Sequence, residues 1–321
     1  MEENVYEVMS RFMQETSSKS LGSILAVSAA VLWGVSGTFA QFLFQQRAIS
    51  PEWLVTIRLL SSGTLLLLIS VARSRKDVFK IWSLRRDTLE LIVFGLFGML
   101  AVQYTYFAAI SASNAATATV LQYLGPVFIV TYSAARAKRL PHWIEALAIV
   151  LSIAGTFLLV THGKLNALAI SKSALFWGLL SAVALAVYTM QPVSLLKRFP
   201  ASIVIGWGMI VGGVAFIPLR APWAISGVWD VSTLMSVAFV ILFGTLAAFY
   251  SYLTAVKLIG PTRTSLLACT EPLSAACLAV AWLGVPFGFY DWVGTIFIIS
   301  TIAVLAIPSR PPKSPRQLKS T

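Results

Sequence analysis

The chain has 321 residues, of which 58% are hydrophobic and 11% charged, and it carries a formal net charge of +12. A soluble domain carries about a quarter charged residues, so this composition excludes an ordinary water-exposed enzyme. The charges are clumped, and apolar runs such as Leu21 to Phe44 and Leu91 to Ile110 exceed the roughly 18 to 20 residues that cross a bilayer as a helix. In lipid, each backbone polar group must be satisfied internally, and the runs are too long for barrel strands. The expected fold is therefore an all-α integral membrane protein.

The first segment, 1–19, does not read as a secretory signal, because Glu2, Glu3 and Glu7 make it acidic. Val5, Val8, Met9, Phe12 and Met13 follow helical spacing, which fits either a short surface helix or a frayed tail. Hydropathy then places spans at 20–44, 52–73, 88–110, 114–136, 142–161, 173–193, 201–219, 231–255, 261–283 and 289–308. The rest is short loops and a C-terminal tail, 309–321, with no room for a separate soluble catalytic domain. With a cytoplasmic N-terminus, 19 of the 24 Lys and Arg residues fall inside, 4 fall outside, and Arg58 lies within a span. That asymmetry predicts both termini in the cytoplasm and accounts for the positive charge without a nucleic-acid partner. Cys269 and Cys277 sit eight residues apart on one predicted helix, beyond disulfide reach.

Residues 96–106 read LFGMLAVQYTY and residues 242–252 read LFGTLAAFYSY, identical at seven of eleven positions. The same 146-residue offset carries Ala109 onto Ala255 and Pro126 onto Pro272. The expected organisation is two five-helix repeats, 20–161 and 162–308. Five is odd, so the second copy enters the membrane inverted, the arrangement that suits alternating access to a central site.

Four segments carry a family resemblance. They are VLWGVSGTFAQ in the first span, Arg58 within PEWLVTIRLLSSGTLLLL, YFAAISASNAATATVLQYLGP, and its mirror YLTAVKLIGPTRTSLLACTEP. In order and spacing over residues 20–308 the chain resembles the EamA-type branch of the drug/metabolite transporter superfamily. The resemblance implies ten helices in two repeats and transport of amino acids, related metabolites or drugs. Members often carry a Leu-Gly-Glu step before the last helix of each repeat. Here Leu283-Gly284 is followed by Val285, and Lys138-Arg139-Leu140 occupies the first-half region.

Of the twelve acids, Glu271 alone falls near the middle of a predicted helix. A lone carboxylate there costs at least about 2.5–3.5 kcal/mol, so it is expected to face protein or water. It fits proton exchange, contact with a cationic substrate, or a protonated acid bonded to a neighbouring helix. Arg58 fits snorkelling to the outer interface, or pairing with Glu271 or with a substrate carboxylate. Pro126 and Pro272 lack an N–H and obstruct the carbonyls of Gln122 and Ala268, so kinks are expected at matching depths. Thr119, Gln122 and Tyr123 share a face with Pro126. Trp33, Gln103, Tyr104, Tyr188, Gln191 and Tyr250 complete a polar and aromatic set able to hold an aromatic or cationic metabolite.

Gly208 and Gly212 form a G-x-x-x-G spacing that signals close helix packing within the chain or between chains, so the oligomeric state stays open. No Gly-rich phosphate loop, Ser-His-Asp set or metal-ligand spacing around His142 and His162 is present, so no catalytic residue, cofactor or metal is expected. The expected activity is secondary transport of a small organic metabolite across the cytoplasmic membrane. Amphipathic amino-acid export is favoured, organic cations are the close rival, and proton coupling would run through Glu271 and Arg58. A membrane-embedded enzyme or lipid-handling protein is the alternative from another class.

Overall fold

The computed structural model describes residues 2–73, 77–136, 138–140, 142–162, 170–268 and 270–305; Cys269 and the tail 309–321 lie outside them. Among the described residues the chain is helical and contains no strand. The helices are α1 (Glu2–Gln46), α2 (Pro51–Arg73), α3 (Arg85–Ala112), α4 (Ala115–Arg136) and α5 (Trp143–Thr161). They continue as α6 (Lys172–Arg198), α7 (Ala201–Phe216), α8 (Val231–Ile259), α9 (Pro261–Leu267 with Thr270–Leu283) and α10 (Phe289–Leu305).

Among the described residues, seven helices are long and apolar enough to cross a membrane: α1 from Lys19, α2, α3, α4, α6, α8 and α9. The other three expected spans coincide with α5, α7 and α10, which are shorter. The first helix, expected from residue 20, begins at Glu2, so residues 2–19 continue α1. Large apolar side chains such as Leu68, Ile153 and Phe176 are about 60% exposed on the outside of the bundle, as a lipid-facing surface requires.

Short sequence signals set the helix ends. Ser50 precedes Pro51, and its hydroxyl accepts from the Trp53 amide. The side chains of Asn114, Ser171 and Asp230 cap α4, α6 and α8 in the same way, accepting from Thr117, Ala174 and Thr233. Hydrogen bonds from Ser232 and Thr233, with Arg47 nearby, hold the Asp230 carboxyl well below the usual carboxylate range, so it is charged at neutral pH. Gly260 and Gly284 end α8 and α9 at positive φ, where other residues are strained.

Two helices are not regular. The runs Phe94–Leu100 in α3 and Leu242–Ala247 in α8 wind as wider π turns, and both fall on the repeated LFG motif. A wider turn rotates everything beyond it, which changes the face that each helix presents inward.

The helices pack in crossed pairs. α1 lies against α8 and α9, while α6 lies against α3 and α4; α2 packs on α7, and α5 on α10. Gly208 and Gly212 let α7 approach the wide turns of α3, where a Cβ on Gly212 would sit 2.8 Å from the Gly95 carbonyl oxygen. The G-x-x-x-G spacing therefore serves packing within the chain.

At the Lys- and Arg-rich end of the bundle, Arg198 pairs with Asp87 (2.9 Å) and Glu90 (2.6 Å), tying the end of α6 to the start of α3. At the opposite end, Arg47 pairs with Asp230 (3.2 Å), tying the end of α1 to the start of α8.

Candidate functional site

The site is built on two broken helices. α4 stops after Gln122, passes through Tyr123 and Leu124, and resumes at Gly125, one residue before Pro126. α9 stops after Leu267 and resumes at Thr270, two residues before Pro272. Each interruption falls where a proline removes a donor and crowds the carbonyl four residues back. The broken segments of α4 and α9 meet. The Tyr123 hydroxyl donates to the Ala268 carbonyl oxygen, the very carbonyl that Pro272 obstructs. It also lies 2.9 Å from Oε2 of Glu271. Thus one side chain of the first half joins the Glu271 amide as a second donor to the carbonyl at the break in the second half.

Beside this junction lies a cavity of about 30 Å³, enough to admit water. Glu271, Arg58, Gln122, Gln103, Trp33 and Tyr188 line it, together with Ser36, Val102, Tyr106, Phe107, Leu185 and Phe249. Glu271 and Arg58 are 2% and 3% exposed, so both ionisable groups face the protein interior. Arg58 does not snorkel. Its Nε donates to the Thr245 hydroxyl at 2.8 Å, and its guanidinium lies 4.4 Å from the Phe107 ring centre and 5.8 Å from that of Phe249. Arg58 and Glu271 face the same cavity without forming an ion pair with each other.

Four buried polar atoms on the cavity wall have no hydrogen-bond partner: Trp33 Nε1, Ser36 Oγ, Gln103 Oε1 and the Tyr188 hydroxyl. Buried polar atoms are nearly always paired, so these four are open to water or another polar group entering the cavity. The aromatic wall is continuous: Trp33 contacts Phe249 and Tyr252, and Tyr188 contacts both of these and Phe94.

The other expected residues divide by face. Thr119 is buried behind the wall, with its hydroxyl 2.6 Å from that of Tyr106. Gln191 turns away to the Glu90 carbonyl at 2.8 Å. Tyr104 packs on Trp177 and Phe216, and Tyr250 is 37% exposed on the outer surface. The reason is helical phase. Gln103, Tyr106 and Phe107 share one side of α3, and Tyr104 falls off it; in α8 Phe249 and Tyr252 turn inward and Tyr250 does not. Tyr106 and Phe107 follow Gln103 at i+3 and i+4, a spacing that could have singled them out once Gln103 was taken as inward. Ser36, three residues after Trp33, and Leu185, three before Tyr188, carry the same signal; Val102 and Phe249 do not.

Crossing apolar helices wrapped around a buried, ring-lined cavity define a multi-pass membrane protein. The chain belongs to the EamA-like transporter family, whose profile matches residues 20–161 and 172–307. It is 41% identical over 293 residues to the uncharacterized inner membrane transporter YicL of Salmonella typhimurium (strain LT2), covering 90% of this chain and 96% of that protein. It is 24% identical over 293 residues to the uncharacterized transporter YwfM of Bacillus subtilis (strain 168), covering 91% and 96%. A solved crystal structure shares the fold with a TM-score of 0.63 at 19% identity, over 94% of this chain and 99% of that one.

Proposed function

We propose that this protein is a secondary transporter that exports a small zwitterionic metabolite, an amphipathic amino acid or a close relative, by alternating access. The observation that carries the reading is the central cavity. A carboxyl and a guanidinium face it unpaired with each other, among unpartnered polar atoms and aromatic rings. A zwitterion presents an ammonium for Glu271, a carboxylate for Arg58 and an apolar side chain for the rings. A plain cation would meet Arg58 as a like charge at the same site. The cavity is far smaller than such a ligand, so loading requires the surrounding helices to move apart.

Inverted repeats of five helices supply that motion in this reading. Exchanging α1–α5 with α6–α10 leaves the packing pairs unchanged: α1 on α8 and α9 becomes α6 on α3 and α4, while α2 on α7 and α5 on α10 map onto themselves. The wide turns, the proline breaks and the two arginine–acid pairs also come in matching copies, one pair at each end of the bundle. All ten helices then cross the membrane. The basic end, with both termini, lies in the cytoplasm of a cell membrane. Glu271 carries the coupling proton, taken up from one side and released to the other as the cavity reopens.

The test is proton flux in proteoliposomes carrying an internal pH dye and an imposed pH gradient, screened with amino acids, amines and other metabolites on wild type and Glu271→Gln. A zwitterion that dissipates the gradient with wild type alone supports the whole reading. Equal responses from both proteins remove Glu271 as the coupling group. Movement of amines alone reassigns the cargo to organic cations.

A further inference from the structure

A second opening lies apart from the central cavity. It is a cleft of about 1090 Å³ at the Lys- and Arg-rich end, between the second part of α4 and the end of α6. Its walls are apolar and turned outward: Phe128, Tyr132 and Val183 are 39%, 52% and 41% exposed. Arg136 and Lys197 stand at its mouth, both exposed, and neither forms an ion pair among the described residues. The neighbouring Arg198 is already committed to Asp87 and Glu90.

The corresponding place at the other end of the bundle is filled. By the 146-residue offset Arg136 corresponds to Trp282. Aligning Trp33-Gly34 with Trp177-Gly178, an offset of 144, matches Val183 and Ala186 with Phe39 and Phe42. In that far cleft, between α9 and α1, Trp282 stacks on Phe42 at 5.5 Å and meets Phe39 edge-on at 4.9 Å. Three rings close one gap; an arginine, a valine and an alanine leave its counterpart open.

We propose that the α4–α6 cleft binds an anionic phospholipid, with an acyl chain along the apolar wall and the phosphate on Arg136 and Lys197. The outward apolar wall selects an occupant with a hydrocarbon chain, because a soluble anion would leave that wall uncovered. The two uncommitted cations at the headgroup level select a negative head. The occupant takes the place that the protein's own rings take at the far end. The site is separate from the transport cavity and does not depend on the cargo assigned there.

The experiment is native mass spectrometry of the purified protein after incubation with phosphatidylglycerol or phosphatidylcholine in detergent. Wild type is expected to retain phosphatidylglycerol selectively. R136Q/K197Q is expected to lose that preference by about thirty-fold, at roughly a factor of five per charge. Arg85→Gln, at the same end but outside the cleft, is expected to retain it. Val183→Phe, which imitates the filled cleft, is expected to expel the lipid with both cations in place. Equal retention of the two lipids, undiminished retention in R136Q/K197Q or undiminished retention in Val183→Phe would each overturn the site. Displacement by glycerol phosphate at millimolar concentration would overturn the lipid in favour of a soluble anion.

Discussion

Glu271 shows how far a single residue can be read and where its surroundings take over. As the lone acid expected deep in a span, it stood out on solvation grounds. Its partner came from 148 residues away, because Tyr123 reaches it across the meeting of two broken helices. Nothing local to either residue encodes that encounter. Tyr123→Phe keeps the ring and removes the donor shared by Glu271 and the Ala268 carbonyl. The Ala268 carbonyl keeps the Glu271 amide, so the loss falls on the buried Glu271 carboxyl, and a buried group left without its partner costs about 1–3 kcal/mol. The variant is therefore expected to unfold at lower temperature in detergent and to transport more slowly. An unchanged melting curve together with an unchanged rate would show that the hydroxyl holds nothing. Arg58 makes the same point from the other side. Its hydrogen bond to Thr245 and its place beside Phe107 decide against snorkelling, and both partners lie on other helices.

Among the elements, the helix ends rest on local capping chemistry, whereas hydropathy placed the spans and left residues 2–19 out of α1. Ser50 before Pro51, Asn114, Ser171, Asp230, Gly260 and Pro261 stand where the chain turns. Helical faces were less legible. The wide turns in α3 and α8 shift the phase of the residues beyond them, so Tyr104 and Tyr250, prominent in the repeat, turn away from the cavity that their neighbours line. Packing between elements rests on small residues. Gly34 of α1 lies so close to α9 that an added Cβ would sit 2.8 Å from the Glu271 carbonyl oxygen and 2.9 Å from the Ala275 amide, and would also strike Ser274. Neither backbone atom can yield without moving the helix. Gly34→Ala is expected to cost about 1–3 kcal/mol through overpacking, read as a fall in thermal stability in detergent. A variant as stable as wild type would mean that α1 and α9 separate freely.

For the whole molecule, orientation is set by charge and internal arrangement by packing. The concentration of Lys and Arg at one end predicts that this end faces the cytoplasm. In a background with Cys269→Ser and Cys277→Ser, a cysteine at Ser83 is expected to resist a membrane-impermeant maleimide in intact cells. A cysteine at Ser173, at the start of α6, is expected to react. The reverse pattern would place the basic end outside and overturn the orientation. The crossed packing, with α1 against the second half and α6 against the first, means that neither half encloses the cavity alone. Its walls come from α1, α2, α3, α4, α6, α8 and α9 together.

The sequence by itself determined that the chain is a helical membrane protein, roughly where its apolar spans fall, which segments are basic, and that its halves share a motif. These follow from hydropathy, charge and residue identity, which are read over a few residues. Only the tertiary structure decided that Arg58 and Glu271 face one cavity without pairing, that Tyr123 bridges the two helix breaks, and that one end cleft is filled with rings while the other stands open. Those outcomes depend on helical phase after the wide turns and on contacts between residues more than a hundred positions apart. No local pattern carries that information.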